Sequence, residues 1–251
     1  MTAPGTLVIA CGALARELLA ITRLDGLDHV TVECLPAALH NRPSEIPEAV
    51  RARIRRARAT GAPAPAAPGD DPLGRDAVDG AGVLALATGA DGEPGATEAV
   101  GATEATGATA PPASIFVAYA DCGTGGLLAR VCEEEGVEMM EGAHCYEFFA
   151  SSPRFAELQD AEVGSFYLTD FLVRHFDRMV WQGLGLDRHP ELLPMYFGNY
   201  TRLVYLAQTD DPELLAGAER AAERLGLSML VERTGYGELE TTLVELGGAR
   251  R

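Results

Sequence analysis

Three stretches of this chain repeat one layout: an apolar strand, a short polar or glycine turn, an amphipathic helix, and a second strand. The first is Leu7-Val8-Ile9-Ala10, Cys11-Gly12, a helix over 13–21, then Val30 to Cys34. The second is Ile115 to Tyr119, the turn Asp121-Cys122-Gly123-Thr124-Gly125-Gly126, a helix over 127–135, then Val137 to Met140. The third is Leu203 to Leu206, the turn Gln208 to Asp211, a helix over 212–225, then Ser228 to Val231. Each has the size of a strand–helix–strand unit with a right-handed crossover. Asp211 suits a helix N-cap, Pro212 the first helical position, and Gly226 the stop. The layout predicts an α/β fold of parallel sheets built from Rossmann-like units. It arises either from the ordinary alternation of such proteins or from three related lobes, a pseudo-threefold arrangement. Both readings put ligand groups at the carboxyl ends of the strands.

Composition narrows the chemistry. All 20 basic residues among the 251 are arginine. Without lysine there is neither a P-loop lysine nor a Schiff-base lysine. A net charge of −17 opposes binding to nucleic acid, whose phosphates call for basic surface. No apolar run is long enough to predict a membrane span. The start, Met1-Thr2-Ala3-Pro4-Gly5, has no basic region before the first strand. That predicts no secretory leader and a cytoplasmic protein.

Residues 59–113 differ from the rest. They hold no aromatic residue, and an imperfect Gly-Ala-Thr-Glu-Ala repeat recurs at Gly95 and Gly101. Acids such as Asp70 and Glu104 outnumber the single base, Arg75. Such a stretch buries too little apolar area to offset its ordering entropy, which predicts a disordered acidic insertion. The predicted organisation is a first α/β unit over 1–58, the insertion over 59–113, and a second unit over 114–150. A helical segment over 151–200 and a third unit over 201–251 complete it.

The five cysteines are odd in number and lack disulfide or CxxC spacing,. Cys132 sits within a helix and Cys34 ends a strand, positions that suit packing. Cys11, Cys122 and Cys145 stand in turns beside the predicted strand ends. If those ends share a cleft, the three thiols converge. Three thiolates with an open position suit a [4Fe–4S] cluster, or a zinc ion with His144 or His40 as fourth ligand. A lone catalytic thiol and three unrelated turn residues are the other readings. The basic helix over 48–58 reads as a solvated face.

Further polar candidates lie in loops. His40 and His144 are candidate acid/base groups, and Asn41 and Arg42 candidate anchors for an anionic small-molecule substrate. Gly123 and Thr124, in a turn resembling a phosphate cradle, and Asn199 and Tyr200, before the third unit's strand, are further substrate-binding candidates. The glycine turn is not GxGxxG, and no acid is placed for a ribose.

The segments Ala10-Cys11-Gly12-Ala13, Leu39 to Pro43, Tyr119 to Gly126, Gly142 to Phe148 and Gly198-Asn199-Tyr200 resemble the domain of unknown function 1638 family. The insertion departs from that pattern. The resemblance implies an association with corrinoid methyltransferase systems, and so with one-carbon metabolism. The layout is also similar, by analogy, to quinolinate synthase, where three α/β lobes hold a [4Fe–4S] cluster on three cysteines. Together these expectations describe a metal- or cluster-binding protein acting on a small molecule. The alternative is an accessory protein that delivers a metal, corrinoid or methylated ligand to a methyltransferase.

Overall fold

A computed structural model describes residues 5–60 and 111–248. The predicted insertion lies almost wholly outside the described residues. The chain forms β1 (Thr6–Cys11), α1 (Ala15–Leu24), β2 (Val30–Leu35), α2 (Ile46–Thr60), β3 (Ser114–Ala118), α3 (Leu127–Glu135) and β4 (Glu138–Met139). It continues through α4 (Glu147–Ala150), α5 (Ser152–Ala161), β5 (Ser165–Thr169), α6 (Asp170–Arg174) and α7 (Leu193–Phe197). Next come β6 (Arg202–Ala207), α8 (Pro212–Leu225), β7 (Ser228–Arg233) and α9 (Gly237–Gly248).

The strands make two all-parallel sheets, ordered β2-β1-β3-β4 and β5-β6-β7, and helices alternate with strands as an α/β fold requires. Units one and two therefore share one sheet, and unit three joins β5 in another. The arrangement is two-lobed rather than pseudo-threefold, because β3 pairs with β1 instead of founding its own sheet. The quinolinate synthase layout is not reproduced.

β1 is buried along its whole length, as expected of a central parallel strand covered on both faces. Helices α1 and α9 pack together, as do α2 and α3. The basic face of α2 is not simply solvated: Arg51 and Arg58 reach Glu135 at 3.3 and 3.1 Å, and Arg55 reaches it at 2.7 Å. Helix α9 returns from the second sheet to the first, burying Leu239 and Leu243 in the first core. Gly237 makes that return possible. Its φ is +53°, and a Cβ there would overlap the carbonyl oxygens of Phe148 and Phe149,.

The third unit follows its sequence closely. Asp211 accepts from the Glu213 N–H at 2.9 Å to cap α8, and Gly226 ends it at φ +71°. The 151–200 segment does not: Ser165–Thr169, predicted helical, is β5, registered along β6 from Ser165↔Arg202 to Thr169↔Leu206. A short apolar run fits helix and strand alike, and pairing decides between them. Further on, Asp177–Gln182 is a π-helical turn. Among the described residues, no helix is long and apolar enough to cross a membrane.

Candidate functional site: a thiol cluster at the switch point of the first sheet

Sequence order reverses between β1 and β3: the chain leaves β1 for β2 on one side and β3 for β4 on the other. Crossovers diverge at such a switch point, which opens a crevice at the carboxyl ends where α/β ligands bind. Cys11 is the last residue of β1, and Cys122 lies in the loop after β3. Beyond the pair Ala10↔Ala118, the register brings Cys11 alongside Tyr119.

The loops after β3 and β4 run on as a pair. The Asp121 N–H donates to the Gly142 carbonyl at 3.0 Å, and the Cys122 N–H to the Ala143 carbonyl at 2.9 Å. This pairing delivers Cys145 to Cys122, with their sulfurs 2.8 Å apart. Cys122 holds a left-handed φ of +48°, costly for a residue with a Cβ and tolerated where the surroundings impose it.

Two carboxylates frame the pair. Asp121 accepts from the Thr124 hydroxyl at 2.9 Å, the Gly126 N–H at 2.6 Å and the Gly125 N–H at 3.2 Å. Those donors, the Gly126 N–H first, hold its pKa below the usual carboxylate range. The phosphate-cradle reading fails on this point: the glycine turn's N–H groups are turned onto Asp121, and Thr124 is buried with its hydroxyl committed. Glu147 accepts the Ala143 N–H at 2.9 Å and so braces the loop carrying Cys145.

Contact with Cys145 lowers the pKa of the Cys122 thiol. The same contact, then burial, pushes Cys145 well up; either sulfur can donate to the other. Burial raises Cys11 to about 12, and the charge of Cys122 adds to the rise. Cys11 thus senses the charge of Cys122 and has the Tyr119 side chain beside it. Among the described residues, no three His, Cys, Asp or Glu side chains are grouped closely enough to hold one metal ion.

Tyr119 is the residue sequence reading missed. It is 1% exposed, and its hydroxyl has no well-formed hydrogen bond. Burial, then the charges of Cys11, Cys145, Cys34 and Cys122, push its pKa well above the ordinary phenol value. A buried unsatisfied donor costs roughly 1–3 kcal/mol, so the hydroxyl is suited to a sulfur that accepts a hydrogen bond once it becomes a thiolate. No residue pattern announces such an orphan; it is a property of packing.

The remaining candidates divide. His144 stacks on Tyr146 with centroids 4.9 Å apart, and Tyr146 stacks on Tyr167 at 5.5 Å. Crowding by the fold lowers the pKa of both His40 and His144, and at His40 the neighbouring His144 adds to the effect. His40, at the surface, lies close enough to His144 for their charges to interact. Gly123, exposed, faces Pro43 of the adjoining loop. A Cβ on Gly183 would meet the Asn41 Nδ2 at 3.0 Å, which puts Asn41 against the π-helical turn. Arg42 is exposed and pairs with Glu45 at 3.1 Å. Asn199 and Tyr200 precede β6, at the amino-terminal edge of the second sheet, where Tyr200 packs edge-on against Phe166 at 5.7 Å. Tyr200 is still near enough to bear on Tyr146.

The second sheet carries its own buried cluster, also absent from the sequence reading. Asp170 is 1% exposed and accepts from the Tyr205 hydroxyl at 2.7 Å, the Gln208 N–H at 3.1 Å and the Thr209 hydroxyl at 2.6 Å. The Gln208 side-chain oxygen accepts the Asp170 N–H at 2.7 Å. Across the seam, Glu17 of α1 is buried with one carboxyl oxygen unpartnered. Burial raises its pKa to about 7, with the Arg174 charge opposing and Asp170 adding.

Fold and site together define a two-lobed parallel α/β protein with a buried cysteine cluster at a switch point. The chain belongs to the family described as "Protein of unknown function (DUF1638)", whose model matches residues 103–243. That match includes Cys122, His144, Cys145 and Asn199; Cys11 and His40 lie before it. No curated protein and no solved structure matches the chain.

Proposed function

We propose that Cys11, Cys122 and Cys145 hold a soft metal centre, a [4Fe–4S] cluster before zinc, in a cytoplasmic enzyme acting on a small molecule. The observation behind this reading is the convergence of the loops carrying Cys122 and Cys145 at the switch point beside the end of β1; the two sulfurs would have to separate to share a metal. The donor type suits it, since thiolates prefer iron–sulfur clusters and zinc, but the three thiols are not yet grouped around one point. The orphaned Tyr119 hydroxyl also fits, because donors to ligand sulfur tune such centres. Cys11 must turn toward the pair to complete the set. With three protein ligands, the open position would supply Lewis acidity.

The chain's own groups have distinct parts. Asp121 and Glu147 hold the loops, and His40 and His144, with pKa values lowered by burial, are placed to accept a proton from a substrate at the carboxyl ends of the first sheet. Exposed Arg42 and Asn41 offer donors to an anionic substrate. Asn199 and Tyr200 form a more distant polar edge. The second reading is an accessory role, delivering the metal or a corrinoid or methylated ligand to a corrinoid methyltransferase system. It rests on the family and on the acidic, lysine-free surface that disfavours nucleic acid,.

Anaerobic purification tests the centre. About four irons per chain with matching sulfide support a cluster, and a single zinc in their place supports the zinc site. Loss of either on Cys11→Ser or Cys145→Ser assigns the ligands. Metal-free protein whose behaviour those substitutions leave unchanged would end the reading.

A further inference from the structure

We propose that Cys122 and Cys145 are a reversible disulfide site, a second covalent state of the crevice. The inference stands on the sulfur contact and not on the metal reading.

The two sulfurs are 2.8 Å apart, and a disulfide needs about 2.05 Å. Their backbones are pinned by the Asp121–Gly142 and Cys122–Ala143 hydrogen bonds. Asp121 clamps one loop and Glu147 the other. The encounter is therefore built in, and closing the bond needs a shift confined to two short loops. Either sulfur of the contact can make the first attack, and the step is the same with the two exchanged,. Exposed Gly123, Gly125 and Gly126 give a reagent its approach.

The oxidant is an external disulfide of a small thiol. The Cys122 thiolate attacks one of its sulfurs, breaking the external S–S bond and releasing one thiolate, which takes up a proton. Cys145 then gives up its proton and attacks the Cys122 sulfur of the mixed disulfide, expelling the second small thiol. Two electrons leave the protein, and the external disulfide is reduced to two thiols. The other cysteines are poorly placed to compete. Burial pushes Cys132 up to about 11, and it lies within α3. Cys34, pushed up further by burial, packs against Ala15, Ala37 and Phe171. A closed pair has no thiolate to offer a metal, so this state and a loaded centre would exclude one another.

The experiment treats the reduced full chain with glutathione disulfide, then alkylates and counts thiols after unfolding. The five free thiols should fall by two, peptide mapping should join Cys122 to Cys145, and dithiothreitol should restore all five. Cys122→Ser and Cys145→Ser should each leave the intramolecular bond unformed, while Cys11→Ser and Cys132→Ser should still form it. Circular dichroism on every variant separates a lost bond from a lost fold. Five thiols persisting in the folded protein, or a bond between other cysteines, would overturn the proposal. Metal content measured on the same samples keeps the two readings apart, since protein that binds no metal can still close the disulfide.

Discussion

The carboxyl ends of the two sheets have nearly the same residue depth and opposite polar logic. In the second sheet, buried Asp170, Tyr205 and Gln208 satisfy one another in a hydrogen-bonded network that exposed Thr209 completes from the surface. In the first, Cys11, Cys122, Cys145 and Tyr119 are gathered around one sulfur contact, with the Tyr119 hydroxyl beside Cys11 but in no well-formed hydrogen bond. A satisfied buried network rigidifies a core. An unsatisfied one at a switch point is a place reserved for something else. The difference supports the proposal that the second lobe is scaffold and the first carries the site.

The comparison is broken most severely at Asp170. Asp170→Ala strands the buried Tyr205 hydroxyl and Gln208 N–H, and should cost about 3 kcal/mol or more. Thermal melting should show it as a fall of roughly 6–12 °C. Cys145→Ala should cost far less; equal losses would erase the distinction between the ends.

Glu17 comes next, at the seam between them. Its carboxyl is raised to about 7 in the folded protein from an ordinary 4.5, so the folded state holds a proton that the unfolded state releases. The stability this contributes is fully present below pH 4.5 and is lost as pH rises to about 7. The loss amounts to at most about 3 kcal/mol. Denaturant titrations of Glu17→Gln should show that slope removed. A variant keeping the full slope would place its origin elsewhere.

A matched pair of substitutions gives a smaller but sharper test. Tyr119 and Tyr205 are each 1% exposed. Tyr205→Phe removes a donor to Asp170 and should cost about 1–2 kcal/mol, whereas Tyr119→Phe removes an orphan hydroxyl and should be neutral or stabilising. Chemical denaturation of both variants without metal reads the difference, and losses of the same size would contradict the comparison. The smallest effect is at Cys122, whose φ of +48° favours glycine. Cys122→Gly should be more stable than Cys122→Ala by about 1 kcal/mol.

Much of the fold was legible because local signals and tertiary packing agree there. Asp211, Pro212 and Gly226 bound α8 as their chemistry requires. β5 was not legible: Phe166, Leu168, Phe171 and Leu172 suit a helical face as well as a strand, and only pairing with β6 decides. Nor could local sequence show that β3 joins β1. The carboxyl-end rule brought Cys122 and Cys145 together correctly, but the glycine turn misled, because its N–H groups serve Asp121 rather than a ligand. Tyr119 and the Asp170 network escaped notice because satisfaction and its absence emerge only after folding.

The first lobe's thiols are proposed to form a soft-metal centre. Anaerobic titration of the reduced full chain with Co(II) tests it most directly, by the thiolate-to-cobalt charge-transfer absorption. The band should saturate near roughly one cobalt per chain, weaken in each of Cys11→Ser, Cys122→Ser and Cys145→Ser, and persist in Cys132→Ser. No such band, or one indifferent to Cys11→Ser and Cys122→Ser, would contradict it.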